Sequence, residues 1–288
     1  MKVFDSHIHL FTHKLIRNVS EKTEMVQQLQ LQTKGAERRN TPEALQEDLL
    51  KAGVFGALLL PTASVKAVQK TNRACVATAS RFDWLFTAGT LHPDCSHNET
   101  ELAYLRENGV RIIKFCSFSQ GFGLDSLATL KMFAAIQGAN ESSRAPFAVV
   151  LDTLQRAEIH FGTLPEFNTT PEGIGKLADR YPGINFIGAH LGGLNGDFEE
   201  LRRHLTPRPN LFLDTSNEAH LLEPRDFLHL LAMHGPRHIL FGTDWPWFVQ
   251  EKEVEHIDHL LNHAGLSVNE KQDVFSTNIS RLLGIDGT

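Results

Sequence analysis

Lys2-Val3-Phe4-Asp5-Ser6-His7-Ile8-His9 stands at the start of the chain and joins a short apolar run to two histidines. Because side chains alternate faces along an extended strand, His7 and His9 project the same way, about 6–7 Å apart along the backbone. Two imidazoles on one face of a strand offer two ligands to a divalent transition metal. A pair of partly buried histidines that bond to the backbone is the alternative interpretation.

Seven further apolar runs follow and alternate with longer amphipathic segments. Their hydrophobicity indicates strands buried on both faces, as in a parallel sheet. Eight strand–helix units in 288 residues predict an α/β fold of the (β/α)8 TIM-barrel type. A doubly wound open sheet is the alternative, but no glycine-rich phosphate loop follows the first strand. The predicted strands are residues 2–6, 54–61, 86–91, 110–117, 146–152, 184–190, 210–215 and 238–243.

Helix starts are marked between these strands. Thr41-Pro42-Glu43 and Thr170-Pro171-Glu172 each combine an N-cap, an early proline and an acid, and Ser267 with Glu270 fits a capping box. No repeat or linker interrupts the pattern, so residues 1–288 are predicted to form one barrel domain. Residues 11–40 are too long for an ordinary connection, and we expect a lid, an oligomer contact or a tolerated surface insertion there.

Composition narrows the class of protein. The net charge of −6 argues against a dedicated nucleic-acid partner. No apolar run is long enough for a membrane span, and no signal peptide is visible. Three widely separated cysteines form neither a disulfide framework nor a metal clip. A cytoplasmic protein acting on a small-molecule substrate is therefore expected.

Polar and ionisable side chains collect at the C-terminal ends of the predicted strands, where barrel enzymes place their active sites. Burying so many of them without a purpose would be costly, so their convergence favours a metal-centred active site. They are His7, His9, His92 before Pro93, Lys114 in Ile112-Ile113-Lys114-Phe115, Asp152 after Val149-Val150-Leu151, His190 and Asp244.

Four motifs contain most of these residues, namely Asp5-x-His7-x-His9, Gly188-Ala189-His190-Leu191-Gly192-Gly193, Gly242-Thr243-Asp244-Trp245-Pro246 and Asn278-x-x-Arg281-Leu282-Leu283. They resemble the motifs of the metal-dependent amidohydrolase superfamily. The chain is most similar to the amidohydrolase-2 branch, which contains aminocarboxymuconate-semialdehyde decarboxylase, resorcylate-type decarboxylases and pyrone-dicarboxylate lactonase. The resemblance extends from residue 1 to about residue 284 and implies a (β/α)8 barrel, in agreement with the strand count.

The resemblance implies roles for four residues. His7, His9 and Asp244 would bind the metal, and His190 would orient or deprotonate the metal-bound water or meet the substrate. Many relatives carry a histidine at the end of the fifth strand, where this chain has Asp152. Asp152 would then be a fourth ligand, a substrate contact or a cap of the next segment. One Zn²⁺ is the expected cofactor, with Mn²⁺ as the alternative.

Other candidate pocket residues have more than one interpretation. Lys114 would contact a substrate carboxylate, pair with a neighbouring acid or, once carboxylated, bridge two metals. His92 is either a pocket residue or a turn residue. Three aromatic residues at the barrel mouth would bind a planar or apolar substrate or serve as ordinary packing; they are Phe118, Trp245 and Trp247.

The leading hypothesis is a metal-dependent hydrolase that attacks a small carboxylic, lactone or amide substrate with metal-activated water. His190 and Asp244 would be its catalytic residues. Nonoxidative decarboxylation on the same fold is the alternative, and an inactive barrel with a binding role is the second. A homodimer is expected from the resemblance alone.

Overall fold

The computed structural model describes residues 1–285. Nine strands run parallel to their neighbours, and each predicted strand lies where the hydrophobic pattern placed it. The third predicted strand is interrupted at Ala88 and forms two short strands. The strands are β1 (Val3–Ile8), β2 (Val54–Leu59), β3 (Leu85–Thr87), β4 (Gly89–Thr90), β5 (Ile112–Phe115), β6 (Ala148–Leu151), β7 (Asn185–Gly188), β8 (Leu211–Asp214) and β9 (Ile239–Leu240).

The strands form a closed barrel. Ala88 links the order β1-β2-β3 to the order β4 to β9, and its N–H donates to the Leu59 carbonyl at 2.8 Å. The ring closes where the N–H of His9 donates to the Trp245 carbonyl at 2.7 Å and that of Asp244 to the His7 carbonyl at 2.9 Å. The predicted (β/α)8 barrel is confirmed.

Helices cover the outside of the barrel and its two ends. The predicted N-caps are confirmed. The Thr41 side chain accepts a hydrogen bond from the Ala44 N–H, and the Thr170 side chain accepts one from the Gly173 N–H. Ser267 and Glu270 form a complete capping box. The helices are α1 (His13–Ser20), α2 (Thr23–Gln28), α3 (Ala36–Arg39), α4 (Pro42–Ala52), α5 (Val68–Ala79), α6 (Asn98–Glu107), α7 (Ser117–Gln120), α8 (Leu127–Glu141), α9 (Ala157–Phe161), α10 (Pro171–Arg180), α11 (Phe198–His204), α12 (Glu218–Leu221), α13 (Pro224–His234), α14 (Gln250–His263), α15 (Val268–Gln272) and α16 (Asn278–Leu283); short 3-10 or π turns occur at Pro165–Phe167, His190–Gly192, Pro236–His238 and Asp273–Thr277.

Two hydrophobic layers follow from the alternation of strand side chains. One cluster joins inward residues such as Phe4, Val150 and Phe212 to Ile279 and Leu283 of α16, so α16 packs against the barrel interior. The other lies between the strands and the surrounding helices and includes Ile8. Phe4 and Ile8 belong to different layers because the β1–β2 register is irregular between Asp5 and Ile8.

Residues 11–40 form α1, α2 and α3 with connecting turns. Their apolar side chains form a separate cluster with residues that follow β6, β7 and β9, namely Leu154, Ala157, Leu194, Trp247 and Phe248. Arg39 donates to the Pro246 carbonyl at 2.8 Å, and Lys22 donates to the His160 carbonyl at 2.7 Å. The segment therefore packs on loops at the C-terminal end of the barrel.

Within residues 1–285, we found no helix that combines the length and the hydropathy needed to cross a bilayer.

Candidate metal centre and active site

His7 of β1, His9 directly after it and Asp244 after β9 bring three ligand-type atoms together. The His7 and His9 Nε2 atoms are 3.1 Å apart, and Oδ1 of Asp244 lies 3.3 Å from His9 and 3.8 Å from His7. A tetrahedral Zn²⁺ site with bonds of about 2.0–2.1 Å has ligand–ligand distances of about 3.3–3.4 Å. The triangle therefore has the size that one divalent transition-metal ion requires.

Hydrogen bonds at the other ring nitrogens orient both imidazoles. Nδ1 of His9 lies 3.0 Å from the Leu60 carbonyl oxygen, and Nδ1 of His7 lies 2.9 Å from Oδ2 of Asp214. Both acceptors require Nδ1 to carry the proton, which leaves each Nε2 lone pair free. This is the arrangement in which protein histidines bind metals.

Protonation states fit the same role. Burial lowers the pKa of His7 to about 4, although the Asp214 carboxylate opposes the shift, so His7 is neutral at neutral pH. Burial would raise the pKa of Asp214, but His7 and Ser216 outweigh it and hold that pKa well below its usual range. Burial likewise opposes ionisation of Asp244, and the hydrogen bond with His9 lowers its pKa overall.

At this end of the barrel, negatively charged side chains outnumber positively charged ones unless a metal ion is bound. The carboxylates of Asp152, Asp214 and Asp244 all have lowered pKa values and are ionised, whereas Lys114 is the buried cation beside them. Uncompensated charge in a low-dielectric interior is expensive. A divalent ion would neutralise the excess of two negative charges, so the residues present fit a metal by charge as well as by distance.

His190, which follows β7, lies beside this triangle. Its ring centroid is 4.8 Å from that of His7, and its Nδ1 is 3.0 Å from the Ser216 carbonyl oxygen. With the Nδ1 proton donated to that carbonyl, Nε2 is free to exchange a proton. The nearest carboxylate oxygen to Nε2 is 3.9 Å away, on Asp152. His190 thus has the orientation of an acid–base group.

Backbone strain marks two of these positions. His190 has a φ of 55° and Asp244 a φ of 63°, both in the left-handed region that residues other than glycine seldom occupy. Hydrogen bonds hold them there: the His190 N–H donates to Oδ1 of Asp214 at 3.0 Å, and the Asp244 N–H donates to the His7 carbonyl. Strain of this kind collects at functional sites.

Asp152, which is partly exposed, and the buried Lys114 form an ion pair next to His190. Nζ of Lys114 is 3.0 Å from Oδ2 of Asp152, and no other acid among the described residues lies within ion-pair distance of it. Lys114 itself is fully buried. Asp152 belongs to neither group of metal-capable atoms found among residues 1–285, which are His7-His9-Asp244 and His7-His190-Asp214. Its role as a metal ligand stays a prediction.

The remaining predicted pocket residues have structural partners. Nε2 of His92 is 3.0 Å from the Gln120 carbonyl oxygen and its Nδ1 accepts from the Asp94 N–H at 3.2 Å, as in a turn histidine. The buried Trp245 indole donates to Asp48 of α4 at 3.2 Å. Trp247 and Phe118 belong to the cluster formed with residues 11–40. Substrate contacts at these four residues stay predictions.

Sequence reasoning missed Ser216 and gave Asp214 and Asp5 no definite role. The Ser216 hydroxyl lies 3.0 Å from Nδ1 of His7 and 2.9 Å from that of His190, and it also bonds to Asp214. Asp5 accepts from the Thr243 hydroxyl at 2.6 Å and thereby ties β1 to the segment after β9. Their spacing in the sequence could have identified Asp214 and Ser216 as candidate site residues, since they lie two residues apart at the end of a predicted strand.

Comparison with known proteins identifies relatives of the whole chain. The model of a family described as amidohydrolase matches residues 4–285. No curated protein matched in a search of sequences.

Solved structures share the fold at low identity. An uncharacterised TIM-barrel protein from Bordetella bronchiseptica has a TM-score of 0.75 and 16% identity, with 99% of each chain covered. The 5-carboxyvanillate decarboxylase from Novosphingobium aromaticivorans, with bound manganese, has a TM-score of 0.69 and 15% identity over 99% of this chain and 97% of that one. A protein from Pseudomonas putida, provisionally assigned as a 2-pyrone-4,6-dicarboxylic acid hydrolase, has a TM-score of 0.66 and 18% identity over 98% of this chain and 97% of that one.

Proposed function

Since the chain belongs to the amidohydrolase family, as its motifs predicted, we propose that it is a metal-dependent hydrolase of a small carboxylic, lactone or amide substrate. The observation that carries the proposal is the triangle of His7, His9 and Asp244. One Zn²⁺ is the proposed ion; Mn²⁺ is the alternative and occurs in a decarboxylase of similar fold. A divalent ion held there would lower the pKa of a water molecule and polarise the substrate carbonyl.

His190 is the proposed acid–base group. Its Nδ1 is committed to the Ser216 carbonyl, so only Nε2 can take a proton from the attacking water and return it to the leaving group. Asp152, 3.9 Å from that nitrogen, would stabilise the imidazolium formed in between. Asp244 is ionised and lies 3.3 Å from His9, which suits it to share the proton transfer while it helps to hold the ion.

Lys114 is the proposed substrate anchor. A buried ammonium group has three donors, and among the described residues Asp152, at 3.0 Å, is the one acid within ion-pair distance of this one. A carboxylate or developing oxyanion of the substrate would supply a further acceptor. Asp152 would then serve to keep Lys114 charged and in place, which is the substrate-side alternative to its role as a fourth ligand.

Residues 11–40 are proposed as the cover of this pocket. Their apolar cluster includes Phe118 and Trp247, and the Phe11 ring stacks on His9 with centroids 4.5 Å apart. A cover of this composition would exclude water and favour a substrate with a planar or apolar part.

Nonoxidative decarboxylation is the second candidate function. Lys114, a buried cation, together with the aromatic residues of the proposed cover, would suit an aromatic carboxylate as well as a lactone acid. His190 would then protonate the carbon that loses carbon dioxide, and no water would be consumed.

One substrate screen separates the two reactions. The metal-loaded enzyme is given lactones, amides and aromatic carboxylates, and acid release is recorded beside carbon dioxide release. His190→Asn should lower kcat by about 10²–10⁴-fold while the ion stays bound, because His190 is outside the metal triangle. His259→Asn, on the exposed face of α14, is the matched control. Full turnover of an accepted substrate by His190→Asn would rule out the proposed base.

A further inference from the structure

We propose that a basic cavity at the N-terminal end of the barrel binds a small organic anion with an apolar body. The cavity has a volume of about 680 Å³. Its lining comes from the segments that enter the strands, at the opposite end from His7 and His9: Arg111 precedes β5, Arg144 lies ahead of β6, and Arg237 and His238 precede β9. Arg281 of α16 completes the lining.

Four arginines from four separate segments thus share one cavity in a chain whose net charge is −6. Arg237 lies 3.8 Å from the Asp273 carboxylate. Among residues 1–285, no acid lies within ion-pair distance of the other three arginines, Arg111, Arg144 and Arg281. Like charges gathered in this way repel one another, and a bound anion would remove that cost. Guanidinium groups also match the geometry of phosphate and carboxylate oxygens.

Arg111 is positioned by the fold. It is half-buried, and its carbonyl accepts from the Ala148 N–H at 2.8 Å. Its guanidinium lies against Gly284, where an added Cβ would be 3.5 Å from Cζ of Arg111. The cationic group therefore has a defined place at the end of α16.

The cavity also has an apolar wall. Phe212 and Leu282 line it, and the His238 ring lies against Phe212 with centroids 5.1 Å apart. Nδ1 of His238 is 3.1 Å from the His234 carbonyl oxygen, which fixes the ring. An inorganic ion would make no use of this wall. A phosphate ester or a carboxylate with a ring would use both surfaces, and the volume suits a small molecule.

Calorimetric titration of the full-length, metal-loaded protein at low salt tests the proposal. The probes are phenyl phosphate, phthalate and inorganic phosphate, so that phosphate and carboxylate chemistry are told apart and the value of a ring is measured. We expect phenyl phosphate or phthalate to bind with a Kd below about 1 mM and inorganic phosphate to bind several-fold more weakly.

Two double variants locate the binding. Arg144→Gln with Arg281→Gln removes two exposed positive charges from the cavity and should weaken binding by about tenfold. Arg202→Gln with Arg203→Gln removes the same charge from α11 and should leave the Kd within about twofold. Absence of saturable binding up to about 10 mM of either aromatic probe would overturn the proposal. Unchanged binding in the double variant Arg144→Gln with Arg281→Gln would also overturn the proposal. The anion would then bind at another place, such as the metal centre.

Discussion

The His7 imidazole is held by a carboxylate and a hydroxyl on its far side from the metal triangle. Asp214 accepts from Nδ1, and Ser216 reaches Nδ1 of His7 and of His190. One small group of side chains after β8 therefore orients both the metal ligand and the proposed base.

Asp214→Asn should weaken metal binding by about 10–100-fold, because an amide can donate to Nδ1 and favour the wrong tautomer of His7. Competition with a chromophoric chelator measures the affinity. Asp179→Asn, at an exposed aspartate paired with Arg208, is the control and should bind metal like the wild type. Equal affinities in all three proteins would contradict the role given to Asp214.

Gly242→Ala should lower both metal affinity and the thermal midpoint. A Cβ at this position would lie 2.8 Å from Cβ of His7, so either β1 or the segment after β9 must move. Gly138→Ala in α8 is the matched control, since no atom lies within 4 Å of the added methyl group and alanine favours the helix. The prediction is wrong if the Gly242 variant keeps wild-type affinity.

At the level of the elements, hydrophobic runs were enough to find every barrel strand, because strands buried on both faces leave a continuous apolar signal. Side-chain direction was harder to predict. The motif Trp245-Pro246-Trp247 suggested two aromatic pocket residues, but the Trp245 indole bonds to Asp48 of α4. His92 follows β4, which ends at Thr90, and both of its ring nitrogens bond to backbone groups. Such partners are distant in sequence, or depend on turns that no local pattern specifies.

The helix α13 contains a buried histidine that should make stability depend on pH. Burial, with a smaller effect of His238, lowers the pKa of His234 to about 4, against an ordinary value of 6.5. Between these two values the unfolded chain binds the extra proton, so the free energy of unfolding falls as pH drops through that range and is fully recovered above 6.5.

His234→Gln should therefore flatten the acid limb of the stability profile. The wild type should lose about 2–3 kcal/mol more than the variant between about pH 7.5 and pH 4.5, measured by urea unfolding. His259→Gln, at an exposed position in α14, should keep the wild-type slope. Parallel profiles for wild type and His234→Gln would show that this residue titrates normally in the fold.

At the scale of the whole molecule, function is expected at both ends of the barrel. The C-terminal end carries the excess of buried carboxylates, whereas the N-terminal end carries the arginine-lined cavity. The family and its barrel could be read from motif order alone. Pairing of Lys114 with an acid was one of the predicted alternatives, but that the acid is Asp152 could not be read from the sequence, nor could the Ser216 contacts, because both depend on which neighbouring strands meet. The predicted homodimer rests on resemblance and stays a prediction.

Removing the metal should destabilise the entire fold, because the buried carboxylates of Asp214 and Asp244 and the largely buried one of Asp152 would then face Lys114 alone. Thermal unfolding after chelation should give a lower midpoint, and zinc or manganese added back should raise it in a concentration-dependent way. At about 100 times the dissociation constant, binding contributes about 2.7 kcal/mol. Identical midpoints with and without metal would contradict this charge argument.

Elemental analysis of protein purified without added metal, with zinc, manganese, iron and nickel counted per chain, shows whether His7, His9 and Asp244 hold a metal ion. We predict about one equivalent of zinc or manganese in the wild type and almost none when His7→Ala and His9→Ala are combined. The pair His259→Ala and His263→Ala, both exposed on α14, should retain the wild-type content. A chain that holds no metal as purified and gains none on reconstitution would contradict a metal centre at His7, His9 and Asp244.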